Sequence, residues 1–156
     1  KSLVELRNVP FSQQRQVLHY LLAALPRFTG AALDAGGNGA QLAEETAERF
    51  GRTRIQEIKF SEAIYRDAFP RYKAGLEDRT TTLIRHDDVL EDHRAIQLVR
   101  GIPKVPEGKT DARGQRHGDS AIAGLLADMA ANSDSGPLTI VTSGARSARS
   151  LLRGYA

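Results

Sequence analysis

The chain has 156 residues, of which 40% are apolar and 26% charged, and this composition is typical of one globular domain with a buried core. It contains no cysteine, which excludes a disulfide framework and any thiolate metal site. No apolar run approaches the roughly 18 residues of a membrane span and no signal peptide is visible, so the sequence predicts neither a membrane segment nor secretion. Because the first residue is Lys1 and not Met, we expect the chain to be part of a longer protein.

Strand patterns and helix patterns alternate along the chain. Strands are predicted where apolar and polar residues alternate or form short apolar runs, and helices where apolar residues recur on one face between cap residues. In chain order, the predicted elements are a strand at 2–9, a helix at 13–25 capped by Ser12, a strand at 30–35, a helix at 41–50 ended by Gly51, a strand at 54–60, a helix at 62–75, a strand at 81–86, a helix at 87–99, a loop at 101–118 and a helix at 118–132. This alternation predicts an α/β fold with at least part of its sheet parallel. The domain is placed at 1–132 and a C-terminal tail with little pattern at 133–156.

Positive charge is concentrated in two segments near the end of the chain. The predicted loop between Arg100 and Arg116 carries five basic residues against two acidic ones, and the tail from Pro137 onward carries three arginines and no acid. Basic segments of this kind suit a polyanion such as DNA, although a solvated loop and tail would explain the pattern equally well. The candidate DNA contacts are Lys104, Lys109, Arg113 and Arg116.

One acidic residue, Asp34 in the segment LDAGGNG, lies at the end of the predicted strand at 30–35. Open α/β sheets place their ligand sites at such strand ends, and the glycines at 36, 37 and 39 allow a tight turn and the close approach of a ligand. The carboxylate could hold a metal ion, bind the ribose or methionine group of a cofactor, or only stabilise the turn. The residues alone leave these three roles open.

A second acidic residue, Asp119 in the segment HGDSAIAGLLA, stands immediately ahead of the last predicted helix. By itself, its simplest role is an N-cap that accepts backbone N–H bonds. If it converges with Asp34, the two carboxylates supply the oxygen ligands that Mg²⁺ or Mn²⁺ takes. His117 could hydrogen-bond a water or a phosphate at such a site, but a histidine in a basic loop is more often only solvated.

Five segments, taken together in their order and spacing, resemble the nuclease domain of phage terminase large subunits, in the variant found in Mu-like phages and prophages. The segments are RNVPFSQQ with LLAAL, GAALDAGGNGAQLAEE, RIQEIKFS, RDAFPRYKAGLEDRTTTLIRHDD and RHGDSAIAGLLA, and the resemblance covers Leu3 to Asp128. It implies a ribonuclease-H-like fold, with a mixed sheet flanked by helices. It also implies a metal-dependent endonuclease that hydrolyses phosphodiester bonds of concatemeric double-stranded DNA during packaging.

The same resemblance assigns roles to both aspartates. It matches Asp34 to the family's second catalytic acid and Asp119 to its last one. It implies two Mg²⁺ or Mn²⁺ ions that clamp the scissile phosphate between them. Double-stranded DNA is then the substrate, the small terminase subunit and the portal protein are partners of the full-length protein, and the cytoplasm of the bacterial host is its location.

The sequence departs from the family in its first strand. The family's first catalytic aspartate lies on a strand upstream of the one predicted at 2–9, and that strand is absent from this chain. The resemblance therefore implies a sheet that lacks its first strands and a metal site that lacks one ligand. We expect a C-terminal piece of a terminase, in which the strand at 2–9 needs a partner from elsewhere because unpaired buried backbone groups are costly.

Two other functions remain as alternatives. An S-adenosylmethionine-dependent methyltransferase also has a strand that ends in an acid before a glycine loop, but it predicts a further acid after the next strand, where this chain has Phe60 and Ser61, and it gives Asp119 no role. A non-catalytic ribonuclease-H-like module would bind DNA or a packaging partner through its basic loops and would need no convergence of the two aspartates. A Walker A motif is absent from the sequence, so these residues contain no ATPase motor.

Overall fold

A computed structural model describes residues 5–105 and 118–133 of the chain. In chain order, its elements are α1 (Phe11–Ala24), β1 (Ala31–Asp34), a 3₁₀ turn (Gly37–Gly39), α2 (Ala40–Phe50), β2 (Ile55–Ile58), α3 (Glu62–Glu77), α4 (Asp87–Arg94), β3 (Gln97–Val99), β4 (Ile102–Lys104) and α5 (Asp119–Ala131). The predicted α/β class is therefore confirmed. Among the helices of the two described ranges, none is long and apolar enough to cross a bilayer.

The strands β1 and β2 form a parallel pair joined by α2, as the alternating pattern predicts. The pair is closed by bonds from Ala31 N–H to the Arg54 carbonyl at 2.9 Å and from Ala35 N–H to the Ile58 carbonyl at 2.7 Å. Because alternate residues of a strand direct their backbone groups to opposite sides, Ala32 and Asp34 direct theirs away from β2. No strand within residues 5–105 and 118–133 pairs with this second edge of β1.

Two hydrophobic clusters hold the elements together. One joins α1, α2 and β2 through Leu22, Ala47 and Ile55, with Phe28 packed edge-on against Phe50 at a centroid distance of 6.1 Å. The other joins α3 and α5, and its buried members are Ala68, Phe69, Tyr72 and Leu125. The helix α5 also packs against β1, with the fully buried Ala121 in its first turn. Small residues on α5 allow this close approach.

Most helix ends agree with the predicted ones, but the start of α1 does not. The helix begins at Phe11 with Pro10 at its N-cap position, and no side chain caps it, so the predicted cap at Ser12 is wrong. Instead, the Pro10 carbonyl accepts the N–H groups of Gln13 and Gln14. At the end of α2, Gly51 has a φ of 100°, which confirms the predicted glycine stop.

The predicted strand at 2–9 is wrong over its described part. Residues 5–9 form no regular element, and residues 1–4 lie outside the described ranges. Asn8 has a φ of 52°, a left-handed conformation that an extended strand does not contain. Despite the alternation of apolar and polar residues, residues 5–9 are therefore an irregular segment that leads into α1.

The predicted strand at 81–86 is also wrong, because that segment closes the end of α3. The Thr81 N–H and the Thr80 hydroxyl both bond to the Gly75 carbonyl, at 2.9 and 3.2 Å. The Thr81 hydroxyl donates to Asp128 on α5 at 3.2 Å, and Leu83 packs on the cluster between α3 and α5. The Thr81 N–H is used to close the end of α3, so it is not available for pairing with a strand.

The predicted helix at 87–99 ends early, and an antiparallel hairpin follows it. The helix α4 stops at Arg94, and β3 then pairs with β4 in the register Val99 to Ile102. The two turn residues, Arg100 and Gly101, have φ values of 52° and 79°, the left-handed pair that a two-residue hairpin favours. The start of the predicted loop at 101–118 is therefore a strand, and its residues 106–117 lie outside the described ranges, as does the predicted tail beyond residue 133.

Candidate functional site

The carboxylate of Asp34 lies at the carboxyl end of β1, where the chain turns into α2. Its Oδ1 accepts the Gly36 N–H at 2.8 Å, so Asp34 does stabilise the glycine turn. Gly37 has a φ of 48°, and a Cβ at Gly39 would collide with the Asp34 carbonyl, so both positions need glycine. Asp34 is exposed, and the other carboxylate oxygen accepts no hydrogen bond from the part of the chain that the structure describes. The turn thus presents one carboxylate oxygen outward.

Asp119 is the first residue of α5, and it does not act as the N-cap. The cap position belongs to Gly118, which has a φ of 73° and no capping side chain. The orphan N–H of Ser120 is bonded instead by Asp92 of α4, whose Oδ2 accepts this N–H at 3.1 Å and the Ser120 hydroxyl at 2.5 Å. The capping interpretation of Asp119 is therefore wrong. Its side chain is exposed and makes no hydrogen bond to residues 5–105 or 118–133.

Asp92 is the functional neighbour that the sequence interpretation missed. Its side chain is completely buried, and it joins α4 to the first turn of α5. The segment HDDVLEDHR places it among other acids on a polar helix, so nothing in the local pattern distinguishes it. The only signal is the missing side-chain cap at Gly118, because the first N–H groups of α5 then need an acceptor from elsewhere in the fold.

A second buried contact fixes the three C-terminal helices to one another. The Tyr72 hydroxyl on α3 donates to His93 Nε2 on α4 at 2.8 Å, while His93 Nδ1 donates to the Val89 carbonyl at 2.6 Å. Burial and the charge of Asp128 raise the pKa of Tyr72 to about 12. A Cβ at Gly124 of α5 would collide with the Tyr72 hydroxyl, so the glycine allows the helices to meet. The frame that carries Asp119 is therefore rigidly packed.

The first turn of α3 lies beside the same end of the sheet. Lys104, at the end of β4, donates to Glu62 Oε1 at 2.7 Å, and this bond and the lysine charge lower the pKa of Glu62. Lys104 is therefore held in an ion pair, with its side chain 29% exposed. The other predicted DNA contacts, Lys109, Arg113 and Arg116, lie outside the described residues, as does His117.

Tyr65, one turn into α3, is within electrostatic reach of Asp34. Burial raises the pKa of Tyr65, and the negative charge of Asp34 raises it further. The ring stacks on Phe60 at a centroid distance of 4.9 Å and an interplanar angle of 7°, and on Phe69 at 5.6 Å and 20°. The rings of Phe60, Tyr65 and Phe69 form an aromatic row. It extends from the end of β2 into the cluster that joins α3 to α5, of which Phe69 is a member.

The chemistry of the two exposed aspartates fits a hard divalent cation. Carboxylate oxygens are the ligands that Mg²⁺ and Mn²⁺ take, and Asp34 and Asp119 are borne by β1 and α5, which pack against each other. Within the described ranges, however, no group of three or more His, Asp or Glu side chains is placed to hold an ion. The two aspartates by themselves do not make up such a group.

Two curated proteins are similar to the chain. No family model matches the chain, and no solved structure matches it. It is 37% identical over 139 residues to the "Mu-like prophage FluMu protein gp28" of Haemophilus influenzae, covering 88% of this chain and 27% of that protein. It is 43% identical over 127 residues to the "Probable terminase, large subunit gp28" of Escherichia phage Mu, covering 80% of this chain and 23% of that protein.

The chain spans about a quarter of the length of these curated relatives. The predicted resemblance to terminase large subunits is thus confirmed at the level of the family. It concerns the segment of the relatives that this chain spans, and not their whole length. By its similarity to both relatives, the chain belongs to the family of terminase large subunits of Mu-like phages and prophages.

Proposed function

We propose that the chain is the nuclease part of a DNA-packaging terminase and hydrolyses phosphodiester bonds of double-stranded DNA at Asp34 and Asp119. The exposed, unbonded carboxylate of Asp119 carries this proposal. An aspartate beside the start of a helix is usually expected to cap it, but here Gly118 has the N-cap position and Asp92 accepts the Ser120 N–H. Asp119 is left facing solvent on a helix that packs against the strand of Asp34.

The two aspartates would hold the divalent ions of a two-metal nuclease, Mg²⁺ or Mn²⁺. When bound, these ions supply Lewis-acid stabilisation of the attacking and leaving oxygens of an in-line displacement. The chain itself contributes a fixed turn at Asp34, held by the bond to Gly36, and a rigid α5 at Asp119. Lys104 lies near the start of α3 and could exchange Glu62 for a phosphate oxygen, because its ion pair is partly exposed to water.

The edge of β1 with which no described strand pairs supports a ribonuclease-H-like arrangement with upstream strands. Ala32 and Asp34 direct their backbone groups to this edge, and Ala32 is only 8% exposed. A strand from a preceding part of the protein would satisfy these groups and could bring a third acid beside Asp34. In this proposal the chain is the C-terminal part of a longer protein that acts in the host cytoplasm with a small terminase subunit and a portal protein.

One observation favours a second candidate, a DNA-binding module without catalysis. The described residues contain no complete ligand cluster, so the module would bind DNA or a packaging partner through its basic segments alone. The methyltransferase alternative has less support. After β2, which ends at Ile58, the first acid is Glu62 in the first turn of α3, so no carboxylate stands at the strand end where the ribose of a cofactor would need one.

The test is plasmid cleavage with Mg²⁺ or Mn²⁺, by the chain and by a version extended upstream. We expect the extended protein to cleave, and Asp34→Asn and Asp119→Asn each to abolish cleavage while leaving the melting temperature within a few degrees. Asp67→Asn is the matched control, because Asp67 is 74% exposed and forms a surface pair with Arg71 on α3. Mn²⁺ binding by titration calorimetry gives an independent readout. An extended protein that binds no Mn²⁺ and cuts no DNA would refute the nuclease and leave the binding module.

A further inference from the structure

Tyr65 is a half-buried phenol whose hydroxyl has no partner among residues 5–105 and 118–133, and the proposed reaction has given it no role so far. No buried side-chain oxygen or nitrogen of these residues lacks a hydrogen bond, so the hydroxyl is open to water. Tyr72, by contrast, is 1% exposed and donates to His93. The two tyrosines lie two turns apart on the same helix. Both rings are packed, but of the two hydroxyls the described part of the fold uses that of Tyr72.

The position of Tyr65 follows from the sheet. Asp34 of β1 lies opposite Ile58 of β2, and the two strands end together. The helix α3 begins four residues after Ile58, with the Ser61 hydroxyl accepting the Ile64 N–H at 3.3 Å. Tyr65 lies in the turn that this cap fixes, beside the strand end that carries Asp34, and Asp34 affects it electrostatically.

The aromatic row restricts what Tyr65 can offer to a ligand. Phe60 and Phe69 both stack on its ring, so the ring already makes its stacking contacts within the fold. The hydroxyl at the ring edge remains, and a phenol keeps its proton and can donate at neutral pH.

We propose that Tyr65 is a substrate-contacting residue, whose hydroxyl donates a hydrogen bond to a DNA backbone phosphate held at Asp34 and Asp119. This inference rests on the proposed nuclease function and assigns that site a further residue. The two phenylalanines fix the ring, so the donor is oriented before DNA arrives and little side-chain freedom is lost on binding. A phosphate oxygen is charged, and hydrogen bonds to charged acceptors are the stronger ones.

The test compares Tyr65→Phe with the wild type in the upstream-extended protein. The substitution removes only the hydroxyl and keeps the stacking ring. We expect kcat/KM for cleavage of a duplex to fall roughly 10- to 100-fold, mainly through a higher KM, with an unchanged melting temperature. In a background of Asp119→Asn, which prevents cleavage, affinity for a labelled duplex should fall by a similar factor. Tyr20→Phe is the matched control, because Tyr20 is 73% exposed on the distant α1.

The outcomes separate this inference from the proposed function. If the wild type cleaves and Tyr65→Phe cleaves and binds equally well, the phosphate contact is refuted while the nuclease stands. If Tyr65→Phe lowers the melting temperature as much as it lowers activity, the hydroxyl is structural and the inference is refuted. If the wild type neither cleaves DNA nor binds Mn²⁺, both the nuclease and the contact at its site are refuted.

Discussion

At the scale of single residues, Asp92 is the side chain on which the geometry of Asp119 depends. Its buried carboxylate accepts both the N–H and the hydroxyl of Ser120, so it holds the first turn of α5. We expect Asp92→Ala to lower the free energy of unfolding by about 1–3 kcal/mol, the usual range for a lost helix cap or charged hydrogen bond. Asp92→Asn should cost less, because its amide oxygen can still accept.

Urea denaturation of the two variants measures this difference. Asp67→Asn serves again as the control, because it removes an exposed carboxylate from a neighbouring helix. If Asp92→Ala unfolds at the same urea concentration as the wild type, the bond to Ser120 does not stabilise α5. The same variant should also lose Mn²⁺ affinity, because Asp119 would no longer be held in place.

At the scale of elements, the packing of α1 on α2 depends on a neutral histidine. His19 is 8% exposed; its Nε2 donates to the Thr46 hydroxyl at 3.1 Å, and Thr46 donates to the Leu42 carbonyl at 2.6 Å. Nδ1 then accepts a long bond from Arg49 at 3.4 Å. Burial, and then the charges of Arg49 and Arg15, lower the pKa of His19.

This lowered pKa predicts a pH dependence of stability. The unfolded state takes up a proton at His19 near pH 6.5, while the folded state resists protonation until a lower pH. Stability from this group is therefore complete above the unfolded pKa and is lost as pH falls below it. We expect the urea midpoint to fall between about pH 7 and pH 5. His19→Gln should reduce this dependence; a slope equal to that of the wild type would contradict the assignment.

Elements whose signals are local were predictable from the sequence. The strands β1 and β2 have short apolar or alternating patterns, and α2 ends at a glycine with positive φ. The segment at 81–86 and the hairpin β3–β4 were not predictable, because their conformations depend on partners distant in sequence. Thr81 reaches Asp128 across 47 positions, and Lys104 reaches Glu62 across 42. A periodic pattern within the segment does not encode contacts of this range.

The candidate site shows the same division. The strand end and the glycine turn place Asp34 correctly from sequence, because both features are local. The role of Asp119 could not be separated from capping, since that choice depends on Asp92, which lies 28 positions from Ser120. Tyr65 was overlooked because a tyrosine among phenylalanines on a helix normally indicates core.

At the scale of the whole molecule, the two-stranded parallel pair has an edge that the described residues do not fill. Parallel strands are usually buried on both sides and within larger sheets. Ala32 and Asp34 direct their N–H groups to this edge, while Ala31 and Ala35 donate to β2. The curated relatives, of which the chain spans about a quarter, have ample chain to supply a further strand.

Hydrogen–deuterium exchange distinguishes the two kinds of amide on β1. In the chain alone, we expect the amides of Ala32 and Asp34 to exchange faster than those of Ala31 and Ala35, because only the latter pair donates to a strand. In the upstream-extended protein, Ala32 and Asp34 should become protected as well. The amide of Ala43, inside α2 and fully buried, provides an internal reference. If extension leaves Ala32 and Asp34 unprotected, no strand docks beside β1, and the third acid of the site must come from elsewhere in the molecule.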